Sequence, residues 1–153
     1  QLDRFMIKLS MGYPDPASEI AILKDRQGAN PFNDVKQVVD GKDIVMMQEE
    51  TDNLHMDDAI IEYITMLSFA TRQNPLIELG VSPRGSIALA GMSKAKAYIS
   101  GRTYVTPEDV QSIFKDVAGH RIILNPRAKI SSVTIDEVID NIFRTVPVPR
   151  AMR

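Results

Sequence analysis

Hydrophobic positions recur three and four residues apart over most of this chain and alternate in one short stretch. In DRFMIKLS, Phe5, Ile7 and Leu9 alternate with Met6, Lys8 and Ser10, and a period of two predicts a short β-strand with one buried face. Tyr13-Pro14-Asp15-Pro16 breaks the pattern and predicts a hinge. Asp15 can cap a short helix that has Pro16 at its first position and Glu19 in its first turn, with Ile20 and Leu23 as its apolar stripe and Gly28 at its end. Residues 29–41 read as a loop with a brief extended piece at Val38 and Val39. A helix over 42–53 follows, with Ile44, Val45 and Met47 facing inward.

The remaining helices are better marked. Asp57 caps one whose apolar face is Ile60, Ile61, Ile64, Leu67 and Phe69, stopped by Asn74-Pro75. Another runs from Pro83 to about Ser100; Ile87, Leu89, Ala90, Ala95, Ala97, Tyr98 and Ile99 nearly surround it, and Gly101 ends it. Thr106-Pro107-Glu108-Asp109 starts a third, striped by Val110, Ile113, Phe114 and Val117 and closed by Gly119. After a loop at Asn125-Pro126, Thr134 and Glu137 form a capping box. The last helix it starts carries Ile135, Val138, Ile139, Ile142 and Phe143. The expected fold is all-α: a bundle of five or six helices preceded by one short orphan strand.

Composition narrows the function classes. A chain of 153 residues suits one domain, or one domain plus a piece of another. A net charge of −2 disfavours a general nucleic-acid binder, although Lys94, Lys96 and Arg102 form a local basic face that keeps a helical DNA-binding domain open as an alternative. With no cysteine there is no disulfide and no thiolate–metal site. No apolar run reaches membrane-spanning length and the start lacks signal-peptide features, so a cytoplasmic location is expected. The first residue is Gln1 rather than Met, which suggests a segment excised from something longer.

Two arginines carry the candidate chemistry. Ser82 and Pro83 read as cap and first residue of a helix, yet the next residue is Arg84, a cation at the positive end of the dipole. Pairing with Glu78 would explain it. So would an anion site, because free N–H groups at a helix start and a guanidinium together suit phosphate, with Gly85 keeping the backbone approachable. Arg4, flanked by the anchors Leu2 and Phe5, could be presented to a partner surface. Val133-Thr134-Ile135-Asp136-Glu137 imitates a Walker B strand, but there is no GxxxxGK followed by Ser or Thr, so it reads as a capped helix and the chain holds no self-contained nucleotide site. His55 and His120 lack metal-ligand spacing, and no metal site is expected.

QLDRF at 1–5, GVSPRGSIALAGMSKAKAYISGRTYVTPEDV at 80–110 and His120-Arg121 together resemble the C-terminal end of MoxR-family AAA+ ATPases, in order and at suitable spacing. The resemblance implies a helical lid at 15–153, preceded at 1–14 by the end of the α/β core. It implies Arg4 as the arginine finger reaching a neighbouring subunit's nucleotide. Arg84 becomes the sensor-2 arginine on the γ-phosphate in its own subunit, within a cofactor-binding stretch of Ser82, Pro83, Arg84 and Gly85. ATP and Mg²⁺ would belong to the full-length parent, a homo-oligomeric ring that remodels or matures client proteins, some with von Willebrand factor A domains. The fragment alone is expected to bind no nucleotide tightly and to be inactive. A stand-alone helical protein-interaction module is the alternative reading.

Overall fold

The computed structural model describes residues 2–27 and 31–149. Gln1, the first residue of the QLDRF motif, and Gly28, the expected helix end, lie outside the described residues, as do residues 150–153. A 3₁₀ turn at Leu2–Arg4 is followed by α1 (Pro16–Asp25), a 3₁₀ turn at Pro31–Asp34, α2 (Gly41–Asp52) and α3 (Asp58–Gln73). Then come β1 (Ile77–Leu79), α4 (Pro83–Ile99), α5 (Pro107–Ala118), β2 (Ile123–Leu124), α6 (Pro126–Ile130) and α7 (Ile135–Thr145). The all-α class holds, with seven α-helices among the described residues rather than five or six. The added one is α6: Asn125-Pro126, read as loop, is itself a helix start, and Asn125 Oδ1 accepts the Ala128 N–H at 2.9 Å.

The strand expected over residues 5–10 is not assigned as one. A strand needs a ladder partner, and here the Lys8 N–H donates instead to the Asp116 carbonyl of α5 at 3.0 Å. Phe5 and Leu9 are exposed, while Ile7 packs partly buried on the core. The sheet lies elsewhere: β1 and β2 pair antiparallel, Ile77 opposite Leu124 and Leu79 opposite Ile123, with an irregularity between the two pairs. Strands of three and two residues are too short to show any period.

Two compact units make up the chain: Leu9–Met47, and the residues up to Lys8 together with those from Gln48 on. In the first, Asp15 caps α1 as expected, accepting the Ser18 N–H at 2.8 Å. No α1 residue is buried, however, and Ile20 and Leu23, expected as its inward stripe, are exposed. Ile44 and Val45 of α2 are exposed too, and no strand forms at Val38 and Val39.

The second unit holds the core. α5 buries Val110, Ile113, Phe114 and Val117, and Phe114 meets Phe143 of α7 edge-to-face at 5.3 Å, a pair geometry contributing about 0.5–1.5 kcal/mol beyond area burial. α4 does not bury its whole circumference as expected: Ile87 and Ile99 are exposed. Its buried face is Gly85, Leu89, Ser93 and Ala97 at four-residue spacing, with Ala88 beside them. Small side chains there admit the larger ones of α5, and the buried Ser93 hydroxyl is satisfied by donating to the Leu89 carbonyl at 2.8 Å. In α3, Tyr63, Ser68 and Thr71 are buried, whereas Ile61 and Phe69 point to solvent.

Candidate functional site

The N-terminus of α4 is held by a short, pinned loop. Thr71 Oγ1 accepts the Val81 N–H at 2.9 Å and Arg72 Nε donates to the Val81 carbonyl at 2.7 Å, so both backbone groups of the residue before the cap are taken. Ser82 Oγ accepts the Gly85 N–H at 3.2 Å and its hydroxyl faces the Asp3 carboxylate, 3.1 Å from Oδ2 and 3.2 Å from Oδ1. Pro83 is the first helical residue. Arg84 follows, exposed, with no hydrogen bond or ion pair among the described residues; the pairing with Glu78 does not occur. Gly85 is buried, so its lack of a side chain serves packing against Val81 and Arg121.

Arg4 closes the 3₁₀ turn at Leu2–Arg4 and is likewise exposed and unpaired among the described residues. Phe5, expected to anchor it, is largely exposed. The anchor is Arg121, just beyond α5. Its side chain is 2 % exposed and its Nε donates to Asp3 Oδ1 at 2.9 Å. Nη2 donates to the Phe5 carbonyl at 2.6 Å and the Asp3 carbonyl at 3.2 Å. Nη1 donates to the Met6 carbonyl at 3.2 Å and to the Val117 carbonyl. One guanidinium therefore grips the backbone on both sides of Arg4.

Asp3 joins the two halves. Partial burial pushes its carboxyl up, but the Ser82 hydroxyl, the Arg121 guanidinium and the charge of Arg84 outweigh that and hold it below the usual aspartate range. Sequence reasoning missed Asp3 and Arg121 as partners because 118 residues separate them. The adjacent His120 has Nε2 3.2 Å from the Phe5 carbonyl oxygen and 2.9 Å from Arg121 Nη1.

The other sequence features have structural duties. Thr134 and Glu137 cap α7, with Glu137 Oε2 accepting the Thr134 N–H at 2.8 Å, so the Walker B imitation is a helix start. His55 and Tyr104 form an isolated parallel bridge. Among the described residues, no cluster of His, Asp or Glu could hold a metal ion and no helix is long and apolar enough to cross a membrane. On the basic face, Arg102 is committed to Asp109 by two hydrogen bonds, and Lys94 Nζ donates to the Asp52 carbonyl at 2.7 Å.

The AAA lid domain family matches residues 69–142, from the second half of α3 into α7. YeaC of Bacillus subtilis is 39% identical over 149 residues, covering 97% of this chain and 47% of that protein. The chaperone MoxR1 of Mycobacterium tuberculosis is 31% identical over 159 residues, covering 98% of this chain and 42% of the relative. The chain belongs to the MoxR family of AAA+ proteins. A crystal structure from Cytophaga hutchinsonii, described as a "putative ATPase", superimposes with a TM-score of 0.86 at 30% identity, over 97% of this chain and 48% of that one. This MoxR-family chain thus spans about half the length of the relatives it matches. Its lid match takes in Ser82, Arg84, Gly85 and Arg121, while Asp3 and Arg4 lie ahead of it.

Proposed function

We propose that this chain is the lid portion of a longer MoxR-type AAA+ ATPase, with residues 1–14 closing the α/β core and 15–153 forming the lid. In this reading Arg84 is the sensor-2 arginine and contacts the γ-phosphate of ATP in its own subunit. Arg4 is the arginine finger and reaches the nucleotide of the next subunit in a ring. The observation that carries it is the state of the two arginines: both exposed and uncommitted, each on backbone that other residues hold firmly. A guanidinium fixed at its base and free at its head suits bidentate capture of phosphate oxygens. Residues Ser82, Pro83 and Gly85 shape that helix start. ATP with Mg²⁺ supplies the transferable phosphoryl group, and the arginines stabilise charge around it. Remodelling of client proteins, including ones with von Willebrand factor A domains, and a cytoplasmic location belong to the same proposal.

The test is made in the full-length protein. Arg4→Ala should lower ATP turnover by about 10³–10⁵, the range for arginine fingers, and Arg84→Ala should lower it sharply as well. Arg4→Ala subunits should be rescued in mixed rings by neighbours that supply an intact finger. Wild-type turnover in both variants would overturn the assignment. Calorimetry on this chain alone should detect no tight ATP binding.

A further inference from the structure

Arg121 is wedged between two elements that the chain order keeps far apart. On one side it holds the carbonyls of Asp3, Phe5 and Met6, which bracket Arg4. On the other it lies against the first turn of α4, where a Cβ on Gly85 would come within 3.0 Å of Arg121 Cδ. Asp3 spans the same gap, receiving Arg121 Nε–H at 2.9 Å and the hydroxyl of Ser82, the cap of the Arg84 helix.

We propose that Asp3 and Arg121 are positioning residues that lock the Arg4 turn to the N-terminus of α4, so that movement of Arg84 on its ligand carries Arg4 with it. This rests on the reading of Arg84 and Arg4 as nucleotide-contacting arginines. The physical reason is desolvation. A guanidinium withdrawn from water cannot release its one carboxylate partner without leaving a buried charge uncompensated, so the contact breaks far less readily than a surface pair. The forked donors also fix direction, because several acceptors must be met by one planar group. Backbone is clamped while the Arg4 side chain stays exposed, the arrangement expected of a transmitted element rather than of a buried staple. Nucleotide bound in one subunit would in this way set the reach of the finger offered to the next.

The test compares Asp3→Asn with Arg84→Ala and Arg4→Ala in the full-length ATPase. Its readouts are turnover, ATP affinity and hydrogen exchange of the amides of residues 3–8 with and without a non-hydrolysable ATP analogue. Asp3→Asn should lose about a hundredfold in turnover, the cost of an ångström-scale misplacement of a catalytic group. Its ATP affinity should stay within about twofold, because the nucleotide's own contacts are untouched. The nucleotide-dependent protection of residues 3–8 should vanish in Asp3→Asn, as in Arg84→Ala. Arg121→Lys, which keeps the charge but not the fork, serves as the second variant and should lose the same protection. Wild-type protection in Asp3→Asn or Arg121→Lys overturns the coupling. If Arg84→Ala and Arg4→Ala cripple turnover while both clamp variants retain it, the coupling alone fails. Wild-type turnover in Arg84→Ala and Arg4→Ala removes the site reading itself.

Discussion

Gly85 and Arg121 touch with no room for a side chain between them. A Cβ on Gly85 would lie 3.0 Å from Arg121 Cδ and 2.6 Å from Val81 Cγ1, and Val81 is itself fully buried. Two effects then oppose each other in Gly85→Ala. Alanine improves helix propensity by about 1 kcal/mol, while overpacking a tight interior costs roughly 1–3 kcal/mol. Crowding should win, because the nearest contact is as short as 2.6 Å, with a net loss of up to about 2 kcal/mol in urea unfolding. A midpoint equal to or above wild type would mean that Val81 and Arg121 yield freely.

Two ion pairs should differ sharply in what they contribute. Lys115 and Asp136 approach to 2.6 Å, yet their side chains are 61% and 57% exposed, so Asp136→Ala should leave the unfolding midpoint unchanged. Asp3→Ala instead strands the Arg121 charge, whose side chain is 2% exposed. The expected loss is roughly 2–3 kcal/mol, reduced from the 3–5 of a fully buried pair because the Asp3 side chain is 46% exposed. Equal effects of the two substitutions would contradict this ordering.

Acid should destabilise the protein partly through Asp109. Burial pushes this carboxyl up, but the Arg102 guanidinium and the Thr106 N–H, which it accepts at 2.9 Å, prevail and leave it below the ordinary aspartate range. A carboxyl depressed in the folded state takes up its proton first in the unfolded chain. Its stabilisation is therefore complete above about pH 4 and disappears as the pH falls further. Asp109→Asn should be less stable than wild type at neutral pH and should lose less on acidification. Parallel stability–pH curves for the two proteins would exclude Asp109 as a contributor.

Ser82 does two jobs with one oxygen, accepting from Gly85 N–H and donating to Asp3. Ser82→Ala removes both and should cost about 1–2 kcal/mol. Ser82→Gly should recover part of the cap contribution but none of the Asp3 contact. Thermal unfolding of the three proteins should rank wild type, then glycine, then alanine; alanine at the wild-type melting temperature would show that neither bond matters.

How much was legible from residues alone follows from how far apart the interacting groups lie. The starts of α1, α3, α4, α5 and α7 were readable at Asp15, Asp57, Ser82, Thr106 and Thr134, because a cap and its partner sit two or three residues apart. Helix faces were less readable. Ile87 and Ile99 looked like core but are exposed, since the neighbouring helices, and not hydrophobicity, decide which side of α4 is covered. Asp109 looked like an ordinary first-turn acid; its burial against Arg102 depends on the path of the intervening turn.

The candidate site divides the same way. The oddity of Arg84, a cation at the positive end of a helix, follows from three consecutive residues, and the sequence by itself also determined the helical class and the MoxR-type motifs. Only the tertiary structure decided that Arg84 stays unpaired, that Gly85 serves packing, and that Arg121 rather than Phe5 holds the Arg4 turn. Caps and periodicity are local and repeat within a few residues. A guanidinium and a carboxylate 118 residues apart meet only when the folded chain carries both out of water to the same place.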